Sequence, residues 1–367
     1  MPARVGNSSP VGSGTQRTRS SGHLKGRCET TCKLRIGLTC MSAPRTAQRS
    51  VGKSFSCAGM TMSIGAMALT ARRQDAGLTR SPAAWGPGTI VAVISVDTGG
   101  FLGNQMFQLA FAHVASRRLG TTFNLSSAPA KSLWENFELG EWGDPAVRRR
   151  RRLAYKLRHP RPRIVVVDNE RDDPESVLSN LRDGARYTGF YQSERYFVGY
   201  EDEVKQMFTV RAEHRAEFTR RYGDRGPYAC VHVRRRDYLE TPWALPASFY
   251  YDALGTDAEI TGMPVIVVSD DPGAVRGELG DIDDVQFESN PAIIDLQLLM
   301  HADVVVASAS SFSWWGAWLN RKPDCRVLVP QHWLGFAKGE EEPRGVLPER
   351  WIQVPVREPS VTAGEAA

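Results

Sequence analysis

Residues 89–105 read TIVAVISVDTGGFLGNQ and open on a near-continuous run of β-branched and other apolar side chains. A run of this kind, Thr89 to Val96, is typical of a strand buried on both faces of a parallel sheet. A glycine-rich turn follows, and residues 105–119 then place apolar side chains on one face of a helix. Strand, tight turn and helix in this order predict the opening unit of an α/β domain.

A second set of strand and helix patterns begins at Tyr228. Short apolar runs alternate there with helical patterns, which predicts βα units and a parallel sheet. The chain after residue 88 is longer than one hydrophobic core normally serves, so we predict two Rossmann-like domains, 89–225 and 226–356, and a mobile tail over 357–367. The later strands are predicted at Tyr228–Val233, Pro264–Val268, Asp303–Ala307 and Cys325–Val329, with helices at 248–254, 291–301 and 313–320. Within the first domain, strands are predicted at Ile164–Val167 and Tyr187–Tyr191, and helix over 194–222.

The charge of the chain is unevenly distributed. Its 367 residues include 46 Lys and Arg against 41 Asp and Glu, a formal net charge of +5. Residues 1–88 hold 13 basic and 2 acidic side chains, a net +11, which leaves −6 for the other 279 residues. Because a nucleic-acid-binding domain usually shows its basic surface on the folded part, we expect no nucleic-acid partner. With 41% hydrophobic and 9% aromatic residues, a chain disordered throughout is excluded.

Residues 1–88 are rich in Ser, Thr, Gly and Arg and poor in large aliphatic residues, which predicts a disordered basic extension. Its most apolar stretch, Cys57 to Leu69, falls short of the ~20 apolar residues that a spanning helix needs. The composition suits a transit peptide, and it suits equally an upstream extension of the reading frame with Met60, Met62 or Met67 as the start. We expect a cytoplasmic protein, with peripheral membrane association as an open alternative.

The motif HVRRRDY, residues 232–238, begins at the carboxyl end of the strand predicted from Tyr228. Ligands of open α/β sheets bind just outside the carboxyl ends of the strands, so these side chains are expected to project toward a cleft. Guanidinium groups at that place can clamp a pyrophosphate, and the nearby carboxylate of Asp237 can hold one of them in position. A surface basic stretch with an internal ion pair is the structural alternative.

The turn GGFLGNQ, residues 99–105, is a second candidate for ligand contact. Glycine lets a backbone approach a ligand closely, and the N-terminus of the following helix favours anions or hydroxyl oxygens. The turn lacks the Gly-Lys-Ser/Thr of a Walker loop, and its spacing does not fit the dinucleotide fingerprint. Close packing of the helix on the strand explains the glycines equally well.

Two further motifs also follow predicted strands. The carboxylates of Ser-Asp-Asp, residues 269–271, suit ribose hydroxyls or the amino and imino donors of a guanine. They also suit a helix cap ahead of Pro272, or a metal. A metal needs more ligands than this pair of carboxylates offers, so no metal site is predicted.

In ASSFSWWGAW, residues 309–318, hydroxyls and free amides at a helix start form a second anion-binding surface. The tryptophans stand at helical spacing and are predicted to be core: Trp314, Trp315 and Trp318.

Taken together, these motifs resemble the galactoside α-1,2-fucosyltransferase family. The resemblance covers about residues 89–335 in the family's order, and HxRRxD and SFSWWGAWL are its most specific parts. The matching stretches are GFLGNQMFQLAFA (100–112), GFYQSERYF (189–197), HVRRRDY (232–238), LPASFYYDAL (245–254), SDD (269–271), DLQLLMHADVVVASASSFSWWGAWL (295–319) and VPQHW (329–333). Two positions depart from the pattern: Arg236 stands where bacterial members often have Gly, and Phe101 replaces the commoner Gly of GGLGNQ.

The resemblance implies a GT-B-like fold and an inverting transfer of L-fucose from GDP-β-L-fucose to the 2-hydroxyl of a galactoside. The expected partners are therefore this donor and a galactoside-terminated glycan. In the family's pattern Arg234 contacts the GDP diphosphate, and His232, Arg235 and Asp237 complete the motif. The residues expected to bind the donor are Gly103, Asn104, His232, Arg234, Arg235, Asp270, Asp271, Ser310, Ser311 and Ser313.

Displacement of GDP from the anomeric carbon develops negative charge on the β-phosphate. Arginine and helix-terminus amides can stabilise that charge as preorganised electrostatics, so we expect neither a metal nor another cofactor. Transfer also needs a base near the acceptor hydroxyl, for which Glu194, Asp237 and His232 are candidates. We expect Arg234 to stabilise the leaving group, Asp237 to orient Arg234 and Glu194 to act as the base.

Three other functions remain open from the sequence. The first is a fucosyltransferase of different linkage, for example one acting on GlcNAc or a lipo-oligosaccharide. The second is a non-catalytic protein that binds a nucleotide sugar or a carbohydrate on the same fold. In the third, the basic extension of residues 1–88 is the functional part, as a tether to nucleic acid or to an anionic membrane.

Overall fold

The computed structural model describes residues 93–126, 130–256 and 260–357. These residues belong to one compact unit, Arg80–Ala367. The predicted N-terminal extension, residues 89–92 of the first predicted strand and the tail from 358 lie outside the described residues.

The first half of the described chain forms a parallel four-stranded sheet in the order β2-β1-β4-β3. Its strands are β1 (Val93–Val96), β2 (Thr122–Leu125), β3 (Ile164–Val166) and β4 (Arg186–Thr188). The helices of this half are α1 (Leu102–Leu119), α2 (Lys131–Asn136), α3 (Pro145–Arg158), α4 (Pro174–Ser179), α5 (Glu201–Met207) and α6 (Ala212–Tyr222).

The second half forms a parallel six-stranded sheet in the order β10-β9-β8-β5-β6-β7. Its strands are β5 (Ala229–Val233), β6 (Val265–Ser269), β7 (Val285–Glu288), β8 (Val304–Ala307), β9 (Arg326–Pro330) and β10 (Ile352–Val354). Its helices are α7 (Ala247–Leu254), α8 (Pro272–Leu279), α9 (Ala292–His301) and α10 (Ser311–Trp318). Short 3₁₀ turns occupy Gly140–Gly143, Glu194–Phe197 and Arg236–Glu240.

The central strands of the second sheet are buried on both faces. In β5 the side chain of Cys230 joins a core that contains α1, α9 and α10, while Ala229 and Val231 join a core on the opposite face with Phe249 and Tyr250 of α7. Successive side chains of a strand point to opposite faces, so a strand between two helical layers must be apolar at nearly every position. This burial explains the continuous apolar runs from which these strands are predicted.

The start of α1 packs directly against the start of α10. A Cβ atom on Gly103 would lie 2.5 Å from the backbone carbon of Ser311 and 2.6 Å from the nitrogen of Phe312, so only glycine allows this contact. The indole nitrogen of Trp315 donates a hydrogen bond to the carbonyl of Gly103 at 3.0 Å. Trp314, Trp315 and Trp318 are buried, which confirms their prediction as core residues.

The structure confirms an α/β fold with parallel sheets and changes several details. The predicted strand Tyr187–Tyr191 ends at Thr188 in the structure, and Tyr191, with a φ of 56°, is not extended. The predicted helix over 194–222 is broken into a 3₁₀ turn, α5 and α6, and Gly199, with a φ of 82°, lies at the first break. β2, β7 and β10 are additional strands. The division into domains at 225/226 stays a prediction.

Candidate functional site

Three of the sequence motifs meet at one edge of the six-stranded sheet. β5 lies between β6 and β8, and all three strands run parallel. In the register of the sheet, His232 of β5 is level with Val268 of β6 and with Ala307 of β8. The loops that follow these strands therefore begin side by side, as the rule for ligand sites of parallel sheets predicts.

A cavity of about 780 Å³ lies at this edge and receives residues from both halves of the chain. Its volume is in the range of small-molecule and cofactor sites. Of the twelve residues predicted for the site, eight line it: Gly103, Asn104, His232, Arg234, Asp237, Asp270, Ser310 and Ser311.

Arg234 is held from two sides by carboxylates. Its Nη2 lies 2.6 Å from Asp237 Oδ1, and its Nη1 lies 3.1 Å from Asp270 Oδ2. The second contact is an ion pair without hydrogen-bond geometry, because no hydrogen bond reaches Asp270 Oδ2 among the described residues. The guanidinium carbon also lies 5.0 Å from the ring centre of Phe101. These contacts orient the guanidinium group before a ligand binds.

Asp270 links two neighbouring loops at the sheet edge. Its Oδ1 accepts a hydrogen bond from the backbone nitrogen of Arg235 at 2.8 Å, while its Oδ2 faces Arg234. Both oxygens are thus directed at the HVRRRDY loop. These contacts favour a positioning role for Asp270, which holds Arg234. They do not favour the contact with the nucleoside that is expected from the sequence.

His232 is a buried, neutral member of the cavity wall. Its Nδ1 lies 2.7 Å from the hydroxyl oxygen of Ser308. Burial, and then the positive charge of Arg234, lowers the pKa of His232 to about 3. The imidazole therefore carries no charge near neutral pH and can serve a ligand as one hydrogen-bond donor or acceptor.

The N-terminus of α10 faces the cavity through Ser310 and Ser311. Ser310 is the N-cap residue, and its hydroxyl accepts a hydrogen bond from the backbone nitrogen of Phe312 at 3.4 Å. The first backbone N–H groups of a helix have no partner within the helix and carry a partial positive charge. This terminus can therefore receive an anionic group.

The glycine turn is tied to the segment that follows β4. Gln192 Nε2 donates to Asn104 Oδ1 at 2.8 Å, and both residues line the cavity. The side chain of Gln108 accepts from the backbone nitrogen of Gly99 at 2.9 Å and donates to the carbonyl of Gly189 at 3.1 Å. The turn and this segment thus form one continuous part of the cavity wall.

Glu194 does not line the cavity. Its carboxylate forms an ion pair with Arg350, whose Nη1 lies 2.8 Å from Oε2 and 2.9 Å from Oε1. Its Oε2 also accepts a hydrogen bond from the indole nitrogen of Trp318 at 3.0 Å. The carboxylate thus joins two distant parts of the chain, and this geometry gives no support to its expected role as the base.

Three predicted donor-binding residues also lie outside the cavity wall. The side chain of Arg235 is buried against Glu278, with Nε 3.1 Å from each carboxylate oxygen. Asp271 caps α8 by accepting a hydrogen bond from the backbone nitrogen of Ala274 at 3.1 Å, the alternative that the sequence left open. Ser313 is fully buried and donates to backbone carbonyls of the preceding turn.

Asp295 on α9 lines the cavity, and the sequence reasoning missed it. It is buried, and Asn290 Nδ2 donates to its Oδ1 at 3.1 Å. Burial raises the pKa of Asp295 to about 7, with a further contribution from Glu288. The signal in the sequence is a carboxylate within the mostly apolar run of α9, AIIDLQLLM.

A pair of carboxyl groups also went unpredicted. Glu170, in the loop after β3, and Glu342, in the loop after β9, both line the cavity. Their carboxyl groups are hydrogen-bonded to each other, and this contact raises the pKa of Glu170. Lys338 Nζ lies 2.6 Å from Glu342 Oε2. The two residues are far apart in the chain, so spacing in the sequence holds no signal for the pair.

The described parts of the chain hold no group of three or more His, Cys, Asp or Glu side chains arranged to bind a metal ion. Within the same residues, no helix combines the length and the apolar character that crossing a bilayer requires.

Comparison with known proteins gives a family match within the chain. Residues 184–335 match the model of Glycosyl transferase family 11. An α-1,2-colitosyltransferase from Escherichia coli is 24% identical over 294 residues, which cover 72% of this chain and 99% of the relative. The O-antigen biosynthesis glycosyltransferase WbnK, also from Escherichia coli, is 31% identical over 115 residues, 28% of this chain and 38% of the relative.

Solved structures give weaker matches. The fucosyltransferase NodZ from Bradyrhizobium is 16% identical with a TM-score of 0.41, over 62% of this chain and 93% of NodZ. POFUT1 in complex with GDP-fucose is 11% identical with a TM-score of 0.42, over 66% of this chain and 99% of POFUT1. The residues that match the model of Glycosyl transferase family 11, 184–335, include β5, β6, β8 and the loops that form this cavity edge.

Proposed function

We propose that the protein is an inverting glycosyltransferase that moves L-fucose from GDP-β-L-fucose to the 2-hydroxyl of a galactoside. One observation carries this proposal. Arg234, oriented by Asp237 and Asp270, stands at the carboxyl end of β5 in a cavity that also receives the N-terminus of α10. Two cationic elements directed into one cavity suit the diphosphate of a nucleotide sugar.

The same elements explain how the leaving group is stabilised. As the bond from the anomeric carbon to the β-phosphate oxygen breaks, its electron pair and a growing negative charge move to that oxygen. The guanidinium of Arg234 and the backbone amides at Ser311 are already in place to meet this charge, which is the main source of electrostatic catalysis. His232, which is neutral, contributes a hydrogen bond rather than a charge.

Asp295 is the best candidate for contact with the nucleobase. It is a buried carboxyl group, and no ion pair to it occurs within the described residues. A guanine presents two adjacent N–H donors that a carboxylate can accept together. Because Asp270 is used by Arg234 and Asp271 caps α8, this role moves from the Ser-Asp-Asp motif to α9.

The pair of Glu170 and Glu342 is the best candidate for the base. Five carboxyl groups of the described residues line the cavity, and Asp237 and Asp270 are engaged with Arg234 while Asp295 is buried. The raised pKa of Glu170 suits this carboxylate to accept a proton, and Glu170 is the proposed base. In the proposed step the acceptor oxygen bonds to the anomeric carbon, its proton passes to a Glu170 carboxylate oxygen, and GDP departs from the opposite side.

A second donor is supported by one specific observation. The relative matched over almost its whole length is named an α-1,2-colitosyltransferase. Colitose is L-fucose without its 3-hydroxyl, so the two donors differ by a single polar group. A site that hydrogen-bonds this hydroxyl rejects the deoxy sugar strongly, whereas an apolar pocket discriminates only weakly between the two.

The experiment that tests the proposal pairs two donors with three acceptors. GDP-fucose and GDP-colitose are each incubated with lactose, N-acetyllactosamine and GlcNAc, and the product linkage is determined by NMR. Fucose on the 2-hydroxyl of galactose is the expected product. Transfer only from GDP-colitose reassigns the donor, and a product on GlcNAc reassigns the linkage. Tight GDP binding without turnover of either donor would refute the proposed transfer activity and indicate a non-catalytic binding protein.

A further inference from the structure

A second cavity, of about 300 Å³, lies away from the donor site in the first half of the chain. Its apolar wall combines α1, β2 and two tryptophans, and its rim is the N-terminal half of α3. The wall residues are Leu109, Phe123, Leu125, Trp134 and Trp142, and the arginines are Arg148, Arg149, Arg151 and Arg152. The proposed glycosyl transfer uses none of these residues.

Two of the arginines are fixed against the wall. The guanidinium carbon of Arg151 lies 3.5 Å from the ring centre of Trp142, and Arg148 lies 4.2 Å from that of Trp134. Arg151 Nη2 pairs with Glu141 at 2.7 Å, yet its Nη1 is buried with no hydrogen-bond partner among the described residues. A buried guanidinium N–H without a partner is costly, so this donor is available to a ligand that supplies an acceptor.

The cavity has an excess of positive charge. Arg149 and Arg152 are exposed and form no ion pair within the described residues. No carboxylate among the described residues lines the cavity, and the nearby acids, Glu141 and Asp144, offset two of its four charges. Arginine guanidinium groups match the geometry of phosphate oxygens, so the chemistry of the cavity suits a phosphate group attached to a less polar body.

The outer face of α3 extends this site with exposed apolar side chains. Leu153 is 56% exposed and Leu157 is 73% exposed, and as residues four apart they lie on one side of the helix. Arg150 and Lys156 flank them and form no ion pair within the described residues. Apolar side chains between cations are typical of helices that lie at a membrane surface and are unusual on a purely solvated face.

A second apolar pair lies on the same side of the four-stranded sheet. Ile164 and Val166 of β3 are 60% and 69% exposed. In the register of the sheet Ile164 is level with Arg186 of β4, and side chains level with each other in a parallel sheet share a face. Arg186 is level with Ser95 of β1, on the face opposite to the one that α1 covers, and α3 packs against β1 and β2.

We propose that the α3 face, defined by α3, its arginine cavity and the exposed pair on β3, binds an anionic lipid bilayer and takes a lipid phosphate headgroup into the cavity. The 23 residues from 145 to 167 hold nine Lys and Arg and no Asp or Glu, in a body whose net charge is negative. Charge complementarity selects an anionic partner, and the four exposed apolar side chains select a bilayer over a nucleic acid. This inference does not depend on the proposed transfer reaction.

The test is sedimentation of the full chain with vesicles of phosphatidylcholine alone and of phosphatidylcholine with 30% phosphatidylglycerol. We expect binding to the anionic vesicles only, decreasing as salt is raised. Arg149→Ala/Arg152→Ala should reduce the vesicle partition coefficient by about tenfold or more, since each cation near an anionic surface contributes about fivefold. Leu153→Ser/Leu157→Ser should reduce it as well.

Arg276→Ala/Arg321→Ala is the matched control, because it removes the same charge from exposed positions of the second half. The basic residues before 89 are identical in every variant, so differences among variants report on α3. Equal binding to both vesicle types, or equal loss in the control, overturns the proposal. Binding to duplex DNA as strong as binding to the vesicles also overturns the proposal. A third contrary result is release of the protein from the vesicles by millimolar inorganic phosphate together with unchanged binding of Leu153→Ser/Leu157→Ser, which would indicate a site for free phosphate. Unchanged thermal unfolding and GDP binding exclude misfolding of the variants.

Discussion

Arg234 shows how a single residue is prepared for its task. Two carboxylates and an aromatic ring hold its guanidinium group, and the side chain is only 19% exposed. The conformational entropy of a long side chain is thus lost on folding and not when a ligand binds. Such preorganisation is what electrostatic stabilisation of a leaving group requires.

We predict that Arg234→Ala reduces transfer from GDP-fucose by a factor of about 10² to 10³, the usual effect of removing one group that stabilises developing charge. Arg234→Lys should recover little, because a lysine cannot meet two carboxylates and a phosphate with a planar fork. The transfer rates of the parent and of these variants are compared by steady-state kinetics, and Arg276→Ala serves as a control for the loss of a surface charge. Turnover of Arg234→Ala within tenfold of the parent would refute the diphosphate role.

Glu170 is predicted to set the acid limb of the pH–rate profile. A base must be ionised, and its pKa is raised by the carboxyl of Glu342, so kcat/KM should fall as the pH decreases through that raised pKa. Glu170→Gln should lower kcat by about 10² to 10⁴ and remove this limb, while GDP binding, measured by calorimetry, stays within threefold. Glu340→Gln, an exposed neighbour of the pair, is the control. An unchanged pH profile in Glu170→Gln would show that another group takes the proton.

Asp295 makes stability depend on pH. Its native pKa of about 7 exceeds the unfolded value of about 4, so between these values the native state binds more protons than the unfolded chain. The free energy of unfolding should therefore decrease as the pH rises from about 4 to about 7. Asp295→Asn keeps the acceptor for Asn290 and removes the titration, and it should gain up to about 4 kcal/mol at pH 8 relative to the parent. The free energies of unfolding of the parent and of Asp295→Asn are measured by urea unfolding at pH 5 and pH 8. The same change with pH in both proteins would contradict the prediction.

At the scale of elements, the close contact between the starts of α1 and α10 depends on Gly103. We predict that Gly103→Ala destabilises the protein by about 1–3 kcal/mol, because a Cβ at that position would overlap the backbone of Ser311. Activity should decrease too, since both helix starts line the cavity. Gly99→Ala is the matched control, because a Cβ there meets no atom of the described residues within 4 Å. The unfolding temperatures of Gly103→Ala and Gly99→Ala are compared by thermal unfolding. Equal stability of the two variants would contradict the prediction and show that α1 and α10 can separate at little cost.

The strands that were predictable differ physically from those that were not. β5, β6 and β8 are buried on both faces, so their sequences are continuous apolar runs and their bounds were predicted to within about one residue. β7 and β10 lie at the edges of the second sheet, and their exposed positions interrupt the apolar pattern. A strand with one partner and partial burial leaves a weaker trace in the sequence.

For the whole molecule, the placement of charge matters more than its total. The body has a net negative charge, yet it has one group of arginines at the carboxyl end of β5 and another on α3. One set lies among carboxylates that orient it, and the other largely faces outward without ion pairs among the described residues. The first arrangement suits catalysis, and the second suits adhesion to an anionic surface.

A reaction supported by arginine and helix-terminus charge should not require a divalent cation. We predict that EDTA leaves the rate of transfer from GDP-fucose unchanged, since the proposed stabilisation of the β-phosphate comes from side chains and backbone amides. The rate is measured by release of GDP with and without added Mn²⁺. Inactivation by EDTA that Mn²⁺ reverses would instead assign Asp270 and Asp271 to a metal.

The sequence by itself determined the βα order, the buried strands of the second sheet and the motifs at their carboxyl ends, because burial and strand polarity are local properties of the chain. It pointed to His232, Arg234 and Ser310, which line the cavity, because each lies at or just beyond the carboxyl end of a buried strand; their roles in binding the donor stay a prediction. Only the tertiary structure decided which charged groups are free for a ligand. Arg235, Asp271 and Glu194 are satisfied elsewhere, and Glu170 meets Glu342, because ion pairs and shared protons depend on distances between residues that are remote in the chain.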